Sequence, residues 1–307
     1  MNKSLLSKSY LTILVLILFS FAIVSCDNFD SDQTTPSFIY VKGFNLVENT
    51  DIIQSSDDGF QTEDIQDAWI YVDNKYIGTY VLPCTVPILK EGKHKIDVRP
   101  GVKLNGIALT RTEYPFYTYY SNNHNLVSGK TDTIPPIDIK YISDYIVFGL
   151  TELFERPYLA FTTDGLSSDT NKLVVCKNQD TVKWGSSCGA MYLNSSESLY
   201  RIISDSIFCN NYSSLILEID YWCNIPFEIG ICGRPSPAAT IQYVSAMALY
   251  PNETKGWQKV YVVLGKVWSQ ISYPNDFRVY FTPQKKSGVA NGWVYIDNVK
   301  IIHKPNK

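Results

Sequence analysis

Hydrophobic and polar residues alternate with a period of two along much of the chain after residue 36. In the clearest run, the apolar residues Leu215, Leu217, Ile219 and Tyr221 alternate with Ile216, Glu218, Asp220 and Trp222. Successive side chains of a β-strand point to opposite faces, so this period predicts a strand with one face in a core. No segment has a strong competing helical period, and we predict an all-β protein.

The runs fall into two blocks, which predict two domains over residues 37–141 and 142–307. In the first block, residues 69–72 and 76–78 flank Asp73 and Asn74, which predicts a β-hairpin because Asp and Asn tolerate left-handed backbone. In the second block, many short runs are separated by clusters of Gly, Pro, Asn and Ser. That pattern predicts a β-sandwich or jelly roll.

The N-terminus predicts export. Lys3 and Lys8 precede an apolar run that ends at Ile23-Val24-Ser25-Cys26. The run is shorter than the roughly 20 residues that span a bilayer, so residues 1–25 are interpreted as a signal peptide. Residues 23–26 resemble a lipobox, which implies lipidation of Cys26 and a lipid bilayer as a partner of the chain. Residues 26–36 are polar and predict a flexible tether.

An acidic stretch follows Cys26, with Asp27, Asp30 and Asp32. It resembles the surface-export signal of Bacteroidota lipoproteins, whereas in enterobacteria an Asp directly after the cysteine implies retention at the inner membrane. We expect an outer-membrane lipoprotein exposed at the cell surface. A periplasm-facing protein is the alternative.

Residues 69–98 resemble a PEGA-type module, a small Ig-like β domain of surface proteins. The matching residues are Tyr71, Val72, Asp73, Gly78, Pro83, Gly92, His94, Ile96 and Val98. The resemblance implies an Ig-like β-sandwich that serves as a spacer or adhesive module, with no activity of its own.

Three stretches of the second block resemble galactose-binding-like jelly rolls, a fold shared by carbohydrate-binding modules. They are residues 256–261, 277–281 and 295–301. The resemblance implies a jelly roll that serves carbohydrate binding, adhesion or spacing. Ile296 and Val299 are three residues apart, which breaks the period of two and predicts a β-bulge at Asp297-Asn298.

Charge and residue types exclude some functions. The chain carries a net charge of −3, and the part from Cys26 onward carries −5, because the signal peptide holds two lysines and no acids. No basic stripe is present, which argues against nucleic acid as a partner. The six cysteines after Cys26 are either small buried residues or partners in one or two disulfides.

Catalytic and metal sites are not predicted. The three histidines, His94, His124 and His303, have no recognisable nucleophile motif beside them. Glu218 and Asp220 have a spacing that suits a glycoside hydrolase, but such pairs are common on solvated strand faces. A calcium ion needs six to eight oxygens, so Asp297-Asn298 alone do not make a structural calcium site, and no cofactor is expected.

The outward rows of the second block predict the candidate site. Strand parity places on one outer face Trp222, Tyr261 and Tyr280, beside Glu218, Asp220 and Arg278. Aromatic rings stack on the apolar faces of sugars, and charged groups bind the hydroxyls. We therefore expect a non-catalytic lipoprotein with a glycan-binding or adhesive jelly roll. The alternatives are that the first domain covers these rings, or that they dock an envelope protein in a structural assembly.

Overall fold

The computed structural model describes residues 34–50, 59–164, 173–194, 196, 198–209, 212–234, 236, 238–271, 276–286 and 288–305. The predicted signal peptide, Cys26 and most of the tether lie outside these residues. Strands account for 54% of the structure and helices for 5%, which confirms the all-β prediction. Among the described residues, no helix has the length and hydrophobicity needed to cross a bilayer.

In the described part of the N-terminal half, ten strands form three small sheets. They are β1 (Ser37–Val41), β2 (Phe44–Leu46), β3 (Asp67–Val72), β4 (Lys75–Val81), β5 (Cys84–Ile88), β6 (Gly92–Lys103), β7 (Arg111–Glu113), β8 (Tyr120–Leu126), β9 (Thr131–Ile134) and β10 (Ile137–Ile139). The largest sheet has the order β4-β3-β6-β7, with β8 also paired to β6. The others are β5-β1-β9 and β10-β2.

The predicted hairpin at residues 69–78 is confirmed. Asp73 and Asn74 connect β3 to β4 with φ angles of 52° and 65°. Two consecutive left-handed residues match the twist of the flanking strands. On the inner face of this sheet, Ile70, Ile96 and Val98 are fully buried, as their alternation predicts.

The C-terminal half is a sandwich of two antiparallel sheets. Its elements are β11 (Val147–Glu152), β12 (Phe161–Thr163), β13 (Leu173–Cys176), β14 (Cys188–Leu193), β15 (Ile202–Ser204), β16 (Ile216–Cys223), β17 (Phe227–Arg234), β18 (Gln242–Leu249), β19 (Gln258–Val263), α1 (Gly265–Trp268), β20 (Asp276–Pro283) and β21 (Gly292–His303). Sheet A has the order β13-β14-β21-β16-β19, with β11 also on β21, and sheet B has the order β12-β15-β20-β17-β18.

The sandwich core lies between the two sheets. Leu217 and Ile219 of sheet A are fully buried in the same cluster as Val279 and Phe281 of sheet B. The apolar row of β16 therefore faces the core, as the period of two predicts. Apolar burial of this kind stabilises by roughly 25 cal/mol per Å², so the alternation determines which face of each strand turns inward.

The predicted bulge in the last strand is also confirmed. Glu218 pairs with Lys300 while Asp220 pairs with Asp297, so Asn298 and Val299 of β21 stand opposite one residue of β16. Asn298 has a φ of 47°, a left-handed conformation that asparagine tolerates. The extra residue shifts the phase of the strand and turns the Asn298 side chain toward the N-terminal half.

The N-terminal half packs on the outer face of sheet A. Ile216, Tyr261 and Ile302 of the sandwich belong to the hydrophobic cluster of the N-terminal sheets. Leu104, the residue that follows β6, forms a bridge with Tyr261 of the edge strand β19. One end of the sheet A outer face is thereby covered, while the other end carries partly exposed aromatic side chains.

Candidate ligand-binding site

The six predicted site residues do not form one face. Glu218, Asp220 and Tyr261 are buried beneath the N-terminal half, and only Trp222 stays partly exposed on sheet A. Tyr280 and Arg278 lie on β20 in sheet B, on the opposite side of the sandwich. The prediction of a single shared face is wrong because parity sets a side chain's direction within its strand, whereas sheet membership depends on long-range pairing.

Glu218 and Asp220 belong to a buried ion network. The Lys259 ammonium lies 2.9 Å from the Glu218 carboxylate and 3.8 Å from that of Asp220. All three side chains are at most 2% exposed, so a glycosidic bond cannot reach this carboxylate pair. Glu218 and Asp220 therefore hold the two halves together, and their burial argues against a role as the catalytic carboxylates of a glycoside hydrolase.

Tyrosine hydroxyls complete the environment of Glu218. Tyr114 donates a hydrogen bond to one carboxylate oxygen, and Tyr141 donates to the other at 2.9 Å. Burial and the Glu218 charge raise the pKa of both phenols well above 10, which keeps the hydroxyls protonated as donors. Burial opposes the Glu218 charge, but Lys259 and Lys300 outweigh it and lower the pKa of the carboxyl.

Asp220 links the sandwich to the segment 59–66 of the N-terminal half. Its carboxylate accepts hydrogen bonds from the Thr62 hydroxyl and, at 3.1 Å, from the Asn298 amide. Asn298 also pairs with the backbone of Phe60 in both directions, at 3.1 and 3.0 Å. The bulge at Asn298 therefore serves the contact between the two halves.

Asp297 is buried with one carboxylate oxygen unpartnered. Its Oδ1 accepts a hydrogen bond from the backbone N–H of Asn298 at 2.7 Å, while Oδ2 has no hydrogen-bond donor among the described residues. Burial raises the pKa of Asp297 to about 8, with a further contribution from Asp220. Among the described residues, no group of three or more His, Cys, Asp or Glu is arranged to hold a metal ion.

The predicted residues of sheet B pack among other polar side chains. The Tyr280 ring lies across Gly230, where an added Cβ would come within 2.3 Å of the ring, and its hydroxyl donates to Glu228. The Arg201 guanidinium stands 3.9 Å from the ring centroid of Tyr243 and 4.9 Å from that of Tyr280. Tyr280 is only 2% exposed, so little of its ring is available for stacking on a ligand.

The uncovered end of sheet A carries four aromatic side chains, which we call the aromatic platform: Tyr192, Trp222, Trp293 and Tyr295. The Trp293 ring centroid lies 5.2 Å from that of Trp222 and 4.9 Å from that of Tyr295. Tyr192 is 6.1 Å from Tyr295 and is 45% exposed. The rings thus form a contiguous and partly exposed aromatic surface.

Three adjacent strands position the platform. Tyr192 of β14 pairs with Trp293 of β21, and Trp222 of β16 pairs with Tyr295 of β21. Because neighbouring strands lie about 4.8 Å apart, the aromatic platform extends about 10 Å across these three strands. The Trp222 indole N–H donates to the Glu253 carbonyl at 3.2 Å, which holds that ring in place.

Three of the platform residues were missed from the sequence, although the signal was present. Trp293 and Tyr295 alternate with the buried residues Val294 and Ile296 in the same way that Trp222 alternates with Tyr221. Parity thus places both rings on an outer face. That this is the face of Trp222 depends on the β16–β21 register, which the alternation does not contain.

The similarity of this chain to known proteins is limited to solved structures of low sequence identity. No protein-family model and no curated protein matches the sequence. Solved structures with a similar fold include the CBM22-2 xylan-binding domain of Paenibacillus barcinonensis Xyn10C, which is 15% identical, with a TM-score of 0.39 over 51% of this chain and 99% of that one. The family 30 carbohydrate-binding module of a Clostridium thermocellum cellulosomal cellulase is 15% identical, with a TM-score of 0.34 over 53% and 95%.

A third similar structure is larger. It contains the CBM22-1 and GH10 modules of Clostridium thermocellum endo-1,4-beta-D-xylanase 10B in complex with xylohexaose, and it is 11% identical with a TM-score of 0.38. The match covers 53% of this chain and 29% of that one, so this chain spans less than a third of its length.

Proposed function

We propose that this protein is a non-catalytic, membrane-anchored lipoprotein that binds a glycan on its aromatic platform. The observation that carries the proposal is the contiguous set of four rings on the uncovered end of sheet A. Ring faces that remain accessible to solvent stack on the apolar C–H faces of sugars. Because three hydrogen-bonded strands hold the rings, little conformational entropy is lost when a ligand binds.

Trp222→Ala and Trp293→Ala should each weaken glycan binding by about 1–3 kcal/mol, because each removes a stacking surface. The measurement is a glycan array with the full-length chain in detergent, followed by calorimetry on the glycan that binds. Phe208→Ala is the matched control, since that ring is 78% exposed and lies outside the platform. The control should bind like the parent.

Two results would contradict the proposal that the aromatic platform binds a glycan. One is a parent protein that retains no saccharide on the array. The other is a pair of tryptophan variants with unchanged affinity. A platform that instead captures an envelope protein would support the structural lipoprotein alternative, because aromatic residues are also enriched at interface hot spots.

The proposed anchor rests on residues 23–26, which precede the described part of the chain. Cys26→Ala should release the protein from the membrane fraction, because the acyl chains would have no attachment site. Cys84→Ala is a control that leaves the lipobox intact. The measurement is the partition between membrane pellet and supernatant after a high-salt wash, and a Cys26→Ala protein that still pellets would show that the anchor assignment is wrong.

A further inference from the structure

A polar cleft lies between the two halves, distinct from the aromatic platform. The segment 59–66 of the N-terminal half forms one wall, and the start of β19 with residues Lys183 and Trp184 forms the other. The cleft has a volume of about 670 Å³. That size lies within the range of pockets that hold small ligands.

Two tryptophans provide an apolar surface in this cleft. The Trp184 and Trp257 ring centroids are 5.6 Å apart, with the planes 72° from each other. The Trp257 indole N–H donates to the Thr181 carbonyl at 2.7 Å, which fixes this ring against the loop that carries Trp184. The rings are therefore preorganised for stacking on a ligand.

Lys103 donates to the Gln66 amide oxygen and Lys259 pairs with Glu218, whereas the other two lysines of the cleft have no ion-pair partner among the described residues. Lys183 lies 4.6 Å from the Trp184 ring centroid, and neither Lys183 nor Lys255 forms an ion pair within the described ranges. The acidic groups of the opposite wall are already hydrogen-bonded. Both Asp64 oxygens accept from the Gln66 amide, and Glu63 accepts the backbone N–H of Ile65.

We infer that this cleft binds an acidic sugar residue, with its ring against Trp184 and Trp257 and its carboxylate or sulfate group at Lys183 and Lys255. Amide side chains along the cleft, Gln61 and Gln258 among them, are suited to the sugar hydroxyls. The inference shares only its ligand class with the proposed function and does not require the platform. It makes the N-terminal half part of a binding site, in contrast to the expected role of a spacer.

The test compares trigalacturonate, a sulfated trisaccharide and neutral galactotriose by calorimetry on the full-length chain in detergent. The parent should bind at least one acidic probe more tightly than the neutral one, and added salt should weaken that binding. Lys183→Ala combined with Lys255→Ala should weaken acidic binding about fivefold or more. Both lysines are exposed, so the fold should not change.

Phe208→Ala serves as the matched control, because that exposed ring lies outside both the aromatic platform and the cleft. It should bind the acidic probe like the parent, whereas Trp184→Ala should lose that binding. The inference is overturned when neither acidic probe binds saturably, or when the double lysine variant binds it unchanged. If neutral glycans still bind the platform in that case, the proposed function stands and only the cleft site fails.

Discussion

Replacement of Lys259 by methionine should reduce the free energy of unfolding by about 3–5 kcal/mol, the usual cost of leaving a buried charge without its partner. The Lys259 side chain is 2% exposed and lies between the carboxylates of Glu218 and Asp220. Burial alone would lower its pKa, but the two carboxylates outweigh burial and raise it, so the lysine stays charged. Methionine fills most of the volume but removes the charge and the hydrogen bond from the ammonium to the Thr62 hydroxyl at 3.0 Å.

The measurement is urea unfolding of the parent and the variant at neutral pH. Lys93→Met is the matched control, because Lys93 is exposed on β6 and its loss should change stability by less than about 0.5 kcal/mol. Adding Glu218→Gln to Lys259→Met should restore part of the loss by removing the unpaired charge. A Lys259→Met protein as stable as its control would show that the network is solvated.

Asp297→Asn should change how stability depends on pH. The folded-state pKa of Asp297 is about 8, raised first by burial, against about 3.9 for an unfolded aspartate. Below about pH 4 the carboxyl is protonated in both states and has no effect. Between about pH 4 and 8 only the unfolded chain ionises, so stability falls by about 1.4 kcal/mol per pH unit.

Above about pH 8 the Asp297 carboxyl is ionised in both the folded and the unfolded chain, and the parent loses no further stability. The free energy of unfolding of Asp297→Asn should therefore exceed that of the parent by an amount that grows from pH 5 to pH 8 and then levels off. The stability of Asp297→Asn should not fall with pH in this way, because asparagine resembles the neutral carboxylic acid at every pH. Unfolding midpoints at several pH values would measure the difference between the two proteins. Asp205→Asn, at an exposed aspartate, should give a curve parallel to the parent. Parallel curves for Asp297→Asn would mean that its carboxyl ionises normally.

The period of two along the chain was sufficient to predict local structure. It predicted the direction of Leu217 and Ile219, and the turn residues Asp73 and Asn74 predicted the hairpin. The broken phase between Ile296 and Val299 predicted the bulge. Each of these depends on residues a few positions apart, because steric limits on φ and the alternation of strand side chains are local properties.

The sites depended on contacts between distant segments. Trp222 was predicted on an outer face and lies there, but its neighbours Trp293 and Tyr295 join it only through the pairing of β16 with β21. Tyr280 does not lie on the predicted face, because its strand β20 pairs with β15 and β17 and so belongs to sheet B. Strand partners are selected by the packing of the whole sandwich, which a period of two does not describe.

The sequence by itself therefore determined the all-β class, the inward and outward rows of each strand, and the positions of the hairpin and the bulge. Only the tertiary structure decided which outward rows meet solvent. Glu218 and Asp220 have the pattern of a solvated strand face, yet the segment around Thr62 covers them and Lys259 neutralises them. Alternation records only that a side chain points away from its own core, whereas its exposure depends on what a distant part of the chain places over it.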